Sequence, residues 1–203
     1  MILNNLLLRV LYRIREIPSR GLPHPGRHDS FDKTHGTDTS GVVWLTNPSS
    51  PNFPRGVRYE PCQPNLCMRA IETSGILPEK FCFVDVGCGK GRALIIASLY
   101  QFHELIGVEY SRKLCQIAER NLKRCGIHAA RIVCRDATEV VYPSMNTFAF
   151  FYHPFGDAAV LDRVLELLRR STDGHELILA YLGLGRHSVA RTSWLVPYRG
   201  TLT

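Results

Sequence analysis

The stretch Phe83-Val84-Asp85-Val86-Gly87-Cys88-Gly89-Lys90-Gly91-Arg92 constrains the fold of this chain more than any other. A short apolar run reads as a buried strand; three glycines spaced by two then break it ahead of a helical run, Arg92 to Tyr100. Glycine permits a tight turn and lets a ligand approach where a Cβ would collide. The start of the following helix adds unpaired N–H groups. A strand, a glycine turn and a helix in this order belong to an α/β fold whose ligands sit at the C-terminal ends of the strands.

The alternation continues on both sides of that stretch. Asn65 to Thr73 reads as a helix, Phe81 to Val86 and Leu105 to Glu109 as strands, and Ser111 as the cap of a helix running to Cys125. Ala130 to Cys134, Thr147 to Tyr152 and Glu176 to Tyr181 are further apolar runs, with a helix over Asp157 to Arg170 between the last two. Strands alternating with helices imply βαβ units, right-handed crossovers and a doubly wound, mostly parallel, Rossmann-like sheet. The 203 residues suit one such domain. We assign it to residues 65–203 and give 1–64 to an N-terminal helix and an irregular lid segment.

Within 1–64, Leu3, Leu7, Val10, Ile14 and Ile17 recur at steps of four and three, with Arg9 and Arg13 off that face. The spacing predicts an amphipathic helix. It has two readings: docking on this domain or a partner, or contact with a membrane surface. From Pro18 to Pro64 the chain is rich in Pro, Gly, Ser, Thr and Asn, with Phe31, Trp44, Phe53 and Tyr59 interspersed. So many aromatics predict a covering segment that packs in places.

Composition narrows the functional classes. At 45% hydrophobic and 21% charged, the chain can build a core. No apolar run reaches the ~20 residues of a conventional membrane span. The seven cysteines are an odd number in a chain of this size, which suits reduced thiols and a cytoplasmic setting. Cys62 and Cys67 have no second pair to complete a zinc set, so no metal is expected. A net charge of +7 favours anionic partners without naming one.

The glycine spacing distinguishes ligands. Dinucleotide sites use G-x-G-x-x-G with a pyrophosphate at the helix start; here the order is G-x-G-x-G, and Asp85 precedes it. A carboxylate there repels a diphosphate and suits a cationic or amine-bearing ligand. Glu109 ends the next strand about 20 residues on, where an acid can take ribose hydroxyls.

Asp85-Val86-Gly87-Cys88-Gly89-Lys90-Gly91 resembles the first motif of class I S-adenosylmethionine-dependent methyltransferases. The resemblance continues through Gly107-Val108-Glu109-Tyr110, Arg135-Asp136-Ala137 and Tyr152-His153-Pro154-Phe155. It implies S-adenosylmethionine as cofactor. Asp85 would act near the methionine amino group, with Gly87, Cys88, Gly89 and Gly91 beside the amino acid and ribose. Glu109, followed by Tyr110, would hold the ribose, and Asp136 and Ala137 would lie at the adenine. Tyr59-Glu60-Pro61 is similar to a segment before the glycine loop in poorly characterised bacterial members, which implies Tyr59 near the cofactor. Relatives that methylate amines carry Asn or Asp, Pro-Pro and an aromatic in the fourth motif, or Asn-Pro-Phe. This chain has His153 in the Asn position, then Pro154 and Phe155, which implies His153 as the catalytic or orienting group and Pro154 and Phe155 at the substrate.

The resemblance implies methyl transfer to nitrogen, with a protein side chain placed ahead of nucleic acid or a small molecule as acceptor. From Arg112 to Arg135 seven Lys/Arg face one acid, Glu119, which keeps a nucleic-acid acceptor as an alternative. A cofactor-binding but inactive interaction module is the alternative of another class, motivated by His153 and the short tail after Tyr181. The family usually completes its sheet with a helix and an antiparallel hairpin, so this tail implies a sheet edge that is open or covered by a partner.

Overall fold

A computed structural model describes residues 9–12, 29–43, 58–182, 189 and 192–197. In chain order these form β1 (Arg9–Tyr12), α1 (Ser30–His35), α2 (Pro64–Thr73), β2 (Cys82–Val86), α3 (Arg92–Ala97), β3 (Glu104–Glu109), α4 (Arg112–Arg124), β4 (Ala130–Cys134), β5 (Thr147–Tyr152), α5 (Ala158–Ser171), β6 (Leu177–Leu182) and β7 (Val196–Pro197). One sheet joins the seven strands in the order β4-β3-β2-β5-β6-β1-β7, and every pairing is parallel. Chain order reverses between β2 and β5. Their C-terminal ends therefore open the crevice in which doubly wound sheets bind ligands.

Alternation along the strands divides the core between the two faces of the sheet. Val84, Val86, Ala149, Phe151 and Leu179 pack on one side with Leu161, Val164, Leu165 and Leu168 of α5. Phe83, Phe148, Phe150 and Ile178 pack on the other with Leu94 and Ile95 of α3 and Cys67 and Ile71 of α2. Phe83 lies nearly parallel to Phe148 and Phe150, at 5.6 and 5.9 Å between ring centroids. In α4, Leu114, Ile117, Ala118 and Leu122 are buried, as their spacing predicts. Its basic residues, from Arg112 to Arg124, are exposed.

Four features differ from the sequence reading. Arg9–Tyr12, which the helical spacing assigns to the N-terminal helix, forms a strand; the rest of that expected helix lies outside the described residues. Val10, Leu11 and Tyr12 also suit a strand, and the unpaired edge of β6 decides between the two by offering backbone partners from Arg9↔Ile178 to Tyr12↔Tyr181. The β6 edge is thus covered by the chain's own N-terminal segment, neither open nor left to a partner, and β7 pairs with β1 beyond it. The irregular segment contains a helix, α1, capped by the Asp29 side chain. Ser111 stands at the start of α4 without a side-chain cap bond. Among the described residues no helix is long and apolar enough to cross a membrane.

Candidate functional site

The turn after β2 is tied to the neighbouring strand. The N–H groups of Gly87 and Cys88 both donate to the Val108 carbonyl, at 2.8 and 3.0 Å. Gly87 and Gly89 have φ of +80° and +53°, a region side chains rarely occupy. Close packing adds a second reason for glycine. A Cβ on Gly87 would lie 2.9 Å from Cβ of Pro154, and one on Gly89 would collide with the Tyr59 ring. Gly91 is the residue before α3.

Two buried carboxylates flank this turn. Asp85 is 3% exposed, and among the described residues no donor or cation pairs with its carboxylate. Burial, and then the charge of Glu109, push its pKa up to about 8. Glu109 is 5% exposed. Its Oε2 accepts from the Gly89 N–H at 3.0 Å and its Oε1 from the Ser111 N–H at 2.8 Å. Burial raises its pKa to about 7 against the pull of these backbone bonds. A carboxylate has about four acceptor sites, so Glu109 retains capacity for a ligand.

Asp136 follows β4. Its Oδ1 accepts from the Thr138 N–H at 2.9 Å and the Thr138 hydroxyl at 2.7 Å, capping a short 3-10 turn, Ala137–Glu139. Ala137 is buried in the core. Burial, and then the charges of Glu109 and Asp136, raise the Tyr110 hydroxyl to about 12.

Tyr59, Asp85, Gly87 and Cys88 line one cleft with Glu60, Cys62, Arg92, Ala93, Phe150 and Tyr152. Tyr59 is held by its hydroxyl, which donates to the Thr39 carbonyl at 2.5 Å. Three expected residues stand at the end of β5. His153 has φ of +49°, a strained value for a side chain of its size, and its N–H donates to the Leu182 carbonyl at 2.8 Å. Burial lowers its pKa against the opposing charge of Glu60, so the imidazole is neutral at neutral pH. Pro154 sits on Gly87, whereas Phe155 packs toward the α5 side of the core, edge-on to Phe151.

Sequence reasoning missed what secures the covering segment. Arg92, 4% exposed, donates to Asp29 at 2.7 Å, to the Thr39 hydroxyl at 2.7 Å and to the Cys62 carbonyl at 3.4 Å. Lys90 reaches Asp38 at 3.0 Å and the Ser40 carbonyl at 2.7 Å. Asn121 exchanges bonds with the Asp38 backbone and also takes the Lys90 carbonyl. Asp32 orders the segment from within, accepting from Thr37, Thr39 and Ser40. Burial alone would raise its pKa, but these bonds hold it well below the usual range. The two cations inside the glycine motif therefore face the covering segment. Their place beside the glycines was the only signal available in the sequence.

Residues 83–171 match the family model of the methyltransferase domain. Those residues, under half of the chain, are where the likeness to a methyltransferase domain lies. A protein-L-isoaspartate O-methyltransferase of Thermotoga maritima is 36% identical over 76 residues, or 36% of this chain and 24% of that protein. The chain thus spans about a quarter of the curated relative's length. Among solved structures, a precorrin 8w decarboxylase from Methanobacterium thermoautotrophicum is similar at a TM-score of 0.48 and 19% identity, covering 72% of this chain and 74% of that one. An RNA methyltransferase from Salinibacter ruber, in complex with S-adenosyl-L-homocysteine, gives 0.47 and 18%, covering 60% and 78%. The residues at the glycine turn fit S-adenosylmethionine chemically: Asp85 is a buried carboxyl without a counter-charge, and Glu109 is an anchored acceptor at the adjoining strand end. Among the described residues no group of three His, Cys, Asp or Glu is placed to hold a metal.

Proposed function

We propose that the protein transfers the methyl group of S-adenosylmethionine to a nitrogen of a protein side chain. The observation that carries this reading is the buried Asp85 beside Glu109 at the glycine turn. Such a pair is stabilised by a cationic ligand that also offers hydroxyl donors. The cofactor supplies an activated methyl group on a sulfonium. With the cofactor bound, Asp85 would face positive charge, Glu109 would accept from the ribose, and Asp136 with Ala137 would border the adenine. Tyr59, Phe150 and Tyr152 exclude water from the cleft, which favours alignment of acceptor and methyl group. His153, neutral and next to Tyr152, takes a proton from the acceptor amine or orients it.

A protein acceptor is supported by the resemblance of the fourth motif to amine-methylating relatives and by the protein substrate in the name of the Thermotoga maritima relative. The exposed basic face of α4 supports nucleic acid as a second reading. Incubating the protein with radiolabelled S-adenosylmethionine and cell extract tests both. Label removed by protease supports the first reading; label removed by nuclease, with binding that weakens steeply in salt, supports the second. Cofactor binding with no acceptor-dependent turnover would contradict both and leave an interaction module.

A further inference from the structure

Two cysteines lie beside Glu109 but do not line the cleft. Cys115, in the first turn of α4, is buried, and its thiol donates to the Glu109 carbonyl at 3.3 Å. Cys134 ends β4 opposite Glu109 in the parallel register. The N–H of Arg135, the residue after Cys134, donates to the same Glu109 carbonyl at 2.9 Å, so the Cys115 thiol and the end of β4 meet at one oxygen. Of the seven cysteines, Cys134 alone is exposed. One thiol of the pair therefore meets solvent while the other waits behind it, the arrangement of an attacked and a resolving cysteine.

We propose that Cys115 and Cys134 are an oxidation-sensitive dithiol, which a peroxide closes to a disulfide that loosens the grip on the nucleoside. The Cys134 sulfur attacks one peroxide oxygen; the O–O bond breaks, and the other oxygen leaves as water once protonated. Cys134 is then a sulfenic acid. The Cys115 sulfur attacks it, the S–S bond forms and the S–O bond breaks. The hydroxide released takes the Cys115 proton. Two thiols and one peroxide thus give one disulfide and two waters.

The structural consequence follows from where the two cysteines are anchored. A disulfide fixes the two sulfurs at about 2.05 Å with a set torsion. The pull acts on the opening of α4, where the Ser111 N–H holds Glu109, and on the end of β4, two residues before Asp136. It also removes the thiol donor from the Glu109 carbonyl. The effect on binding rests on the proposed cofactor role of Glu109; formation of the bond does not.

The test treats the reduced full chain with hydrogen peroxide, alkylates the remaining thiols and maps peptides by mass spectrometry. We expect a Cys115–Cys134 linkage that a thiol reductant reverses and that Cys134→Ser and Cys115→Ala each lack. By calorimetry, the linked protein should bind S-adenosylhomocysteine several-fold more weakly than the reduced protein, while peroxide leaves the affinity of Cys134→Ser unchanged. Linkage to another cysteine, or over-oxidation of Cys134 without linkage, overturns the dithiol. Equal affinity of linked and reduced protein overturns the loosening. A reduced protein that binds no S-adenosylhomocysteine refutes the cofactor reading, and the peptide map still decides the dithiol.

Discussion

Replacing Asp85 with asparagine should make the ligand-free protein more stable and a poorer binder. The Asp85 carboxyl has an ordinary pKa of 3.8, which folding raises to about 8. Between these values the folded state keeps a proton that the unfolded chain has released, so stability falls as pH rises through that window. At 1.36 kcal/mol per unit, the cost accumulates to roughly 4 kcal/mol by about pH 7 and roughly 1.5 kcal/mol by about pH 5. Asn escapes this cost but buries an amide without a partner, which offsets about 1–3 kcal/mol. The net gain near neutral pH is then about 1–3 kcal/mol, or some 2–4 °C in Tm per kcal/mol for a chain of this size. Urea denaturation at about pH 5 and about pH 7 reads the difference. The gain should grow with pH by about 2.5 kcal/mol between the two conditions. Calorimetry with S-adenosylhomocysteine should show the accompanying loss of affinity. A gain independent of pH, or a variant less stable than wild type at neutral pH, would mean that folding supplies Asp85 with a counter-charge, and the reasoning fails.

Glu109→Ala should weaken S-adenosylhomocysteine binding by about 1.5–3 kcal/mol, the value of hydrogen bonds to a charged group, in a calorimetric titration. In the wild type, the raised values of Asp85 (about 8) and Glu109 (about 7) mean that binding draws on ionised forms the free protein partly lacks. Affinity should therefore rise from about pH 6 to about pH 9, with proton release on binding detectable as a buffer-dependent heat. Arg92→Lys keeps the charge but loses the fork that spans Asp29, Thr39 and Cys62; about 2 kcal/mol or more of stability should be lost. Limited proteolysis should then cut between residues 29 and 43 sooner than in wild type. His153→Ala should leave cofactor affinity within about twofold and lower the methyl-transfer rate by about 10²-fold or more; equal rates would remove His153 from the chemistry.

What was legible in the sequence was whatever depended on neighbouring residues. Ala130–Cys134 and Thr147–Tyr152 coincide with their apolar runs; Thr147–Phe151 is buried at every position, and a strand buried on both faces leaves a continuous apolar run. The glycine turn and Glu109 were equally readable, since a fixed spacing separates them. Arg9–Tyr12 failed for the opposite reason: its strand depends on an edge formed some 170 residues later, at Ile178–Tyr181, while the local spacing fits a helix as well. The attachment of the covering segment was hidden in the same way. Asp32, Arg92 and Asn121 are polar residues joined across long separations, and no periodicity marks such bonds. His153 was identified from its motif, but its left-handed backbone and its distance from Phe155's core packing appear only in three dimensions.

The most direct measurement is a calorimetric titration of the reduced full chain with S-adenosylhomocysteine near pH 8, where both Asp85 and Glu109 can ionise. The site described predicts saturable binding of one nucleoside per chain, weakened in both Asp85→Asn and Glu109→Ala. Absence of heat and of any thermal shift at millimolar nucleoside, or binding that neither substitution alters, would contradict it.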